Sequence, residues 1–450
     1  MSYIVTGSGQ ELATKGQLMI KFLLGIAVSL AIASPGQEPP KPIYPVGTRF
    51  PLVLYSIHTI EEMKEVEPAG WNVGHRYSFK ESYFGKIEEA GWLSVAHLEG
   101  KLKTKVPVKP APAKDNGDAT AANLEEADGT GKGVAPTDRL RTEEEVAADI
   151  RSLAAHDALA WWDFPEEQRW WRKGEYQIVK NLSAWTRKHD PQKRPNYMYL
   201  PGHYSAKGIA RYVQYLDIIG TGIYTEYSHQ SRAWVRWRME ETIRGIEEAG
   251  YKIGRDYLKG EKTPIGIPML FSGGLLKSDP ITPVGAYHDF WSCIASGARG
   301  IFVFSFWHRR DLPIFKQTWA DGFNRAARNL QAVPGLDQAL LFGEDVPLTV
   351  TVTKGSPRTA TFRPYGFEED ISLPAVNVLG KKHDGMLYII AVSSQERPVT
   401  ATVSGLPTGA SDLRVHCEER EDGDAITMTE GAFKEVFPWL TVHLYTAKLP

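Results

Sequence analysis

Cysteine is nearly absent from this chain: Cys293 and Cys417 are the two present among 450 residues. That excludes a disulfide framework and a cysteine-built zinc cluster. With 42% hydrophobic residues, a chain of this length buries a large core without such staples. An excess of one charge is also missing. The 52 basic and 54 acidic residues leave a net charge of −2, which gives no reason to expect nucleic acid or an anionic membrane as partner. No apolar run approaches the ~20 residues that span a bilayer. A glycine-rich phosphate loop is missing too, where an open doubly wound sheet would carry one. The first predicted strand runs instead into Tyr55-Ser56-Ile57-His58-Thr59.

What is present is a rhythm. Apolar runs too short for helices recur at 50–55, 71–77, 92–99, 158–162, 196–200, 217–224, 264–271 and 301–307, and read as strands. Helical patterns separate them. Ala-Gly-Trp at 69–71 and again at 90–92 marks a helix stopped by glycine and a strand opened by an aromatic. Thr142 and Glu145 form a capping box, and Val146, Ile150 and Leu153 then fall on one helical face. Strands joined by helices pair in parallel. Eight such units predict an α/β fold, a (β/α)8 TIM barrel, over 42–333. After Pro334 the pattern becomes short strands between Gly-, Pro- and Asp-rich turns, at 346–352, 359–363, 386–392, 399–403, 412–417 and 440–445. That predicts a small C-terminal antiparallel β-sandwich over 334–450.

Three further segments stand apart. Lys21 precedes the apolar run 22–30, and Ala31-Ile32-Ala33 matches a small-x-small cleavage site. Residues 1–33 therefore read as a signal peptide region, with Met19 the better start and cleavage before Ser34. The expected protein is secreted or periplasmic, with no membrane span after cleavage. Residues 34–41 are a proline-rich linker. Residues 100–140, rich in Lys, Pro, Ala, Gly and Asp, are a low-complexity insertion after the third strand.

In a barrel of this kind, chemistry sits at the C-terminal strand ends. Those ends supply Tyr55 and His58, His75 and Tyr77, His97 and Glu99, Trp162 and Asp163 with Glu166, Tyr199 and His203, Tyr224 and Glu226, and finally Trp307, His308 and Arg309. Carboxylates, imidazoles and aromatic platforms on one rim suit glycoside hydrolysis, which needs an acid for the leaving oxygen and a second carboxylate as nucleophile or base. Glu166 follows the fourth strand among Trp161, Trp162, Phe164 and Trp170. Apolar walls would raise its pKa and make it the general acid. Glu226 and Asp163 are the other carboxylates with a predicted catalytic role, although Asp163 is also placed to hydrogen-bond the turn. Glu167 is expected to face solvent. The remaining rim residues are predicted substrate contacts.

The barrel resembles the TIM-barrel glycoside hydrolase superfamily, in particular its large clan of retaining enzymes. The phrases Asp190-Pro191-Gln192-Lys193-Arg194-Pro195 and Gly297-Ala298-Arg299-Gly300-Ile301, with the C-terminal sandwich, carry the likeness. The resemblance implies a carbohydrate partner and acid/base chemistry by paired carboxylates, with no cofactor. Two departures matter. Phe164 stands where that clan has its acid/base Glu, and the seventh strand ends in Leu270-Phe271-Ser272-Gly273 without a carboxylate. Either Glu166 and Glu226 have taken those roles, or the barrel binds glycans without cutting them. A metal-dependent barrel hydrolase is a third reading. Against it, Ser56-Ile57-His58 replaces the His-x-His expected on a first strand, although His97-Leu98-Glu99 would offer two ligands, so no metal is assigned.

Overall fold

The computed structural model describes residues 49–77, 81–102, 139–272, 280–417 and 425–450. The predicted signal region, the linker and most of the 100–140 insertion lie outside the described residues.

Eight parallel strands close a barrel. They are β1 (Leu52–Tyr55), β2 (Val73–Arg76), β3 (Leu93–His97), β6 (Leu159–Asp163), β7 (Asn196–Leu200), β8 (Ile218–Ile223), β9 (Thr263–Pro268) and β10 (Ile301–Val303). Between β3 and β6, β4 (Lys101–Leu102) pairs antiparallel with β5 (Arg139–Leu140), so the insertion leaves and returns at one place. The strands were legible because helices cover the outside and side chains fill the inside. Leu159–Asp163 is buried at every position, and so are β1, β7, β8 and β9.

The crossover helices are α1 (Ile60–Val66), α2 (Glu81–Glu89), α3 (Glu143–Ala154), α4 (Lys173–His189), α5 (Ala206–Val213), α6 (Ala233–Glu248) and α7 (Pro283–Ala295). The predicted Thr142–Glu145 capping box opens α3, and Val146, Ile150 and Leu153 are buried beneath it. Gly70 (φ 95°) and Gly91 (φ 69°) take the left-handed conformation that stops a helix and that a Cβ would oppose. Two glycines of β8 serve another purpose. A Cβ on Gly220 would sit 2.8 Å from the Tyr197 ring, and one on Gly222 would run into the Tyr199 hydroxyl. The aromatic interior of the barrel depends on both.

After β10 come α8 (Pro313–Gln317), a π-helical turn, α9 (Asn324–Ala332) and α10 (Leu336–Phe342). Strand-and-turn structure was expected from 334, so α10 moves the change of architecture about ten residues on. Pro334-Gly335 reads as a breaker, yet Gly335 instead caps α10, and Leu336, Ala339, Leu340 and Leu341 bury its inner face. The sandwich has a sheet ordered β11-β13-β14-β19-β16 and another ordered β12-β15-β18-β17. Its strands are β11 (Glu344–Val346), β12 (Thr349–Lys354), β13 (Val376–His383), β14 (Met386–Ser393), β15 (Val399–Ser404), β16 (Ser411–His416), β17 (Met428–Thr429), β18 (Ala432–Phe437) and β19 (Val442–Lys448). The strand expected at 359–363 is reduced to isolated bridges, Arg358 to Pro374 and Phe362 to Ile371.

The described residues form one compact unit. β14 shows how. Leu387, Ile389 and Ala391 face the core between the two sheets, while Tyr388, Ile390 and Val392 join the barrel's apolar core. His288 of α7 also bonds Ser394 (3.0 Å), and Asn377 bonds Ser296 (3.0 Å).

Candidate active site

The C-terminal end of β6 is the centre of the site. Backbone bonds from Phe164 N to Tyr197 O (2.9 Å) and from Glu167 N to Tyr199 O (3.3 Å) strap the following turn to β7. Phe164 is fully buried and anchors it. The chain then turns through a left-handed Glu167 (φ 55°). This presents a half-buried Glu166 and leaves Glu167 exposed. Glu166 therefore sits in a turn, well before α4 begins at Lys173.

Glu166 Oε1 accepts the Tyr77 hydroxyl (2.8 Å). Burial, then the negative charge of Asp163, pushes the Glu166 carboxyl up to about 7, against the partial opposition of Tyr77 and His97. Asp163 is fully buried between two histidines. Its Oδ2 lies 3.0 Å from His75 Nε2 and 2.7 Å from His97 Nδ1. Burial opposes ionisation of Asp163, but the two imidazoles outweigh it and hold its carboxyl below the usual range. Burial also opposes protonation of His97, yet Asp163 and Glu99 raise its pKa, whereas burial dominates at fully enclosed His75 and lowers it. The carboxylate form is thus favoured at Asp163, and protonation is favoured at His97 over His75. Glu99 is exposed, with Oε1 4.0 Å from His97 Nε2.

Below this rim the barrel interior is aromatic. Tyr55 stacks on Phe302 (centroids 3.8 Å), touches the His75 ring (4.4 Å), and shares a 2.6 Å hydroxyl contact with Tyr197. Tyr55 also meets Phe304 (5.1 Å), which leads to Tyr224 (5.8 Å), itself stacked on Tyr199 (5.9 Å). Phe271 and His308 extend this surface, their rings 6.0 Å apart. His58 lies against Trp307 (5.2 Å). Tyr77, Tyr227 and Trp307 are exposed on the upper face.

Glu226 follows β8 in a network of its own. It pairs with Arg232 and accepts the Thr225 hydroxyl (2.6 Å). Arg232 also reaches Asp289 (2.5 Å), and Asp289 contacts His288 (3.1 Å). Arg309 bonds Glu62 (3.1 Å) and lies over the Phe306 ring.

Of the residues chosen from sequence, Tyr55, His75, Tyr77, His97, Asp163 and Glu166 converge, with Tyr199 and Tyr224 across the same floor. Trp162 does not join them and is corrected here. It is fully buried, and its indole N–H donates to Asp190 (2.9 Å) outside the barrel, because strand alternation turns it opposite to Asp163. His203 packs on Tyr204 and Tyr365 (5.1 and 5.9 Å). Tyr197, Phe304, Phe271, Arg232 and Asp289 were missed. The period-two spacing of Tyr197 and Tyr199 was the available signal for the first; Asp289 lies inside α7, away from any strand end in the sequence, and reaches the end of β8 only in space.

No protein-family model matches the chain, and no curated protein matches it. Solved structures do resemble it. The alpha-amylase from Geobacillus thermoleovorans, complexed with acarbose, superposes with a TM-score of 0.51 at 10% identity, over 88% of this chain and 98% of that one. The alpha-amylase from H. orenii gives 0.51 at 10% identity, over 89% and 99%. Gan42B, a GH42 beta-galactosidase from G. stearothermophilus, gives 0.50 at 8% identity, over 91% and 99%. At these identities the likeness is one of fold, a closed (β/α)8 barrel with a C-terminal β-sandwich. Barrel and sandwich are both included in the match. No helix among the described residues is long and apolar enough to cross a membrane.

Proposed function

We propose that this protein is a secreted, carbohydrate-active enzyme, a glycoside hydrolase working at the C-terminal rim of the barrel, with Glu166 as its general acid. One arrangement carries the reading: a half-buried Glu166 that accepts the Tyr77 hydroxyl (2.8 Å), on a rim of exposed aromatic rings, where burial and the Asp163 charge push its carboxyl up to about 7. An acid that protonates a glycosidic oxygen needs such a pKa. The flat rings of Tyr77, Tyr227 and Trp307 offer apolar faces to sugar rings. Glu226 is the second carboxylate, held ready by Arg232 and Thr225. Asp163, enclosed by His75 and His97, acts on Glu166 through its charge rather than by touching substrate.

A non-catalytic glycan-binding barrel is the second reading. The tight pairing of Glu226 with Arg232 favours it, as does the absence of a carboxylate in Leu270-Phe271-Ser272. A screen for hydrolysis across glycan libraries separates the two. With a substrate in hand, Glu166→Gln should lower kcat by ~10²–10⁴-fold for poor leaving groups and much less for good ones. Undiminished kcat on a poor leaving group, in a folded variant, removes Glu166 from the role. Binding without turnover in every case supports the second reading.

A further inference from the structure

We propose that His75, His97 and Asp163 form a binding site for a divalent transition-metal ion of the zinc type. The three side chains come from consecutive barrel strands, β2, β3 and β6, and converge in the barrel interior. Each offers one donor atom, and the three atoms lie within 4.8 Å of one another; Asp163 Oδ2 meets His75 Nε2 at 3.0 Å and His97 Nδ1 at 2.7 Å. Zinc bonds to imidazole nitrogen and carboxylate oxygen are ~2.0–2.2 Å long, which at tetrahedral angles places neighbouring ligand atoms roughly 3.3–3.6 Å apart. The observed edges of 3.0 and 2.7 Å would open by roughly 0.3–0.9 Å to admit an ion. Among the described residues this is the one such cluster.

Two further observations support an ion over a plain hydrogen-bonded trio. Both imidazole contacts fall on the single oxygen Oδ2, while the buried Oδ1 has no hydrogen-bond partner. Glu99 lies beside the outer nitrogen of His97, where a carboxylate commonly orients a metal-bound histidine. His75 Nδ1 also lacks a partner, and it would lack one with or without an ion, so it does not weigh on either side. Two imidazoles and one carboxylate leave coordination positions open. The groups next to the cluster are the Tyr77 ring, edge-on to both imidazoles (4.8 and 6.1 Å), and the Glu166 carboxyl that Tyr77 holds. The ion would share Asp163 with the surroundings of Glu166, so binding is read directly rather than through the acid's activity.

The full chain is stripped with a chelator, dialysed, and titrated with zinc chloride alone by calorimetry, then with cobalt(II). The expected result is one equivalent bound, with a dissociation constant below about 10⁻⁶ M. The cobalt-loaded wild type should show two hyperfine-shifted imidazole N–H proton resonances, which reports two histidine ligands without any mutation. Folded His97→Gln and Asp163→Asn should lose stoichiometric binding, whereas His203→Gln and Glu166→Gln should retain it. Wild-type protein that takes up less than a tenth of an equivalent of either ion overturns the proposal. So does binding that persists in folded His97→Gln, or a cobalt spectrum with no shifted imidazole protons.

Discussion

Replacing Glu166 by Gln tests the electrostatics of the rim without any substrate. Burial and the Asp163 charge push the Glu166 carboxyl up to about 7, against about 4.5 for a free Glu. Between those values the folded state holds a proton that the unfolded chain has already released. The folded protein is therefore favoured below pH 4.5, and that advantage is lost as pH rises through 7. The gap corresponds to at most about 3.5 kcal/mol. Glu166 is partly open to solvent, so screening reduces the expected effect to about 1–2 kcal/mol. Gln keeps the shape and an acceptor for Tyr77 but has no charge to bury. Urea unfolding of chelator-treated protein should thus give Glu166→Gln a stability relative to wild type that rises by about 1–2 kcal/mol from pH 4 to pH 8. Glu167→Gln, at the exposed neighbour, should show no such trend. A pH-independent difference for Glu166→Gln, or one that falls with pH, would refute the assignment of a buried, proton-retaining carboxyl.

Other expectations follow from particular contacts. Gly220→Ala should cost about 1–3 kcal/mol in denaturant unfolding, because its Cβ would press on Tyr197 and Ile267. Asp190→Ala should cost about 3–5 kcal/mol, since it strands the buried Arg194 guanidinium and leaves the Trp162 N–H unpartnered. Ile390→Ala, in a strand packed on both faces, should cost about 2–5 kcal/mol by the same assay. Mass spectrometry of protein recovered from the medium or periplasm should find an N-terminus near Ser34, and full-length protein confined to the cytoplasm would contradict the proposed export.

The barrel was legible in the sequence because its strands are apolar on both faces and each is followed by a helix with a clear stop. The run 158–162 reads as buried by composition alone, and the strand Leu159–Asp163 is buried throughout. Strand boundaries were less legible at the rim. The eighth strand was expected to reach Trp307 but ends at Val303, and 306–310 coil into a short helical turn instead. Side-chain direction was the harder matter. Trp162 and Asp163 are adjacent, so one faces α4 and the other the barrel axis, and nothing in the composition says which. β13 was missed because Gly380, Lys381 and Lys382 interrupt its apolar pattern, yet Lys381 is buried and paired with Asp345 (2.5 Å). The Arg232 network was invisible because its members are spread from Thr225 to Asp289 and meet only in three dimensions.

The two-sided burial of β14 sets a limit on how this protein can be cut or recombined. A barrel ending after Phe342 would expose the surface that Tyr388, Ile390, Val392 and Leu444 now cover, and each such side chain is worth about 1.5–3 kcal/mol when buried. It would also strip His288 of its Ser394 contact, at the end of the chain of polar groups that runs through Asp289 and Arg232 to Glu226. The sandwich is thus a wall of the barrel rather than an appendage. Grafting this barrel onto another C-terminal module would require the new module to reproduce the barrel-facing side of one strand.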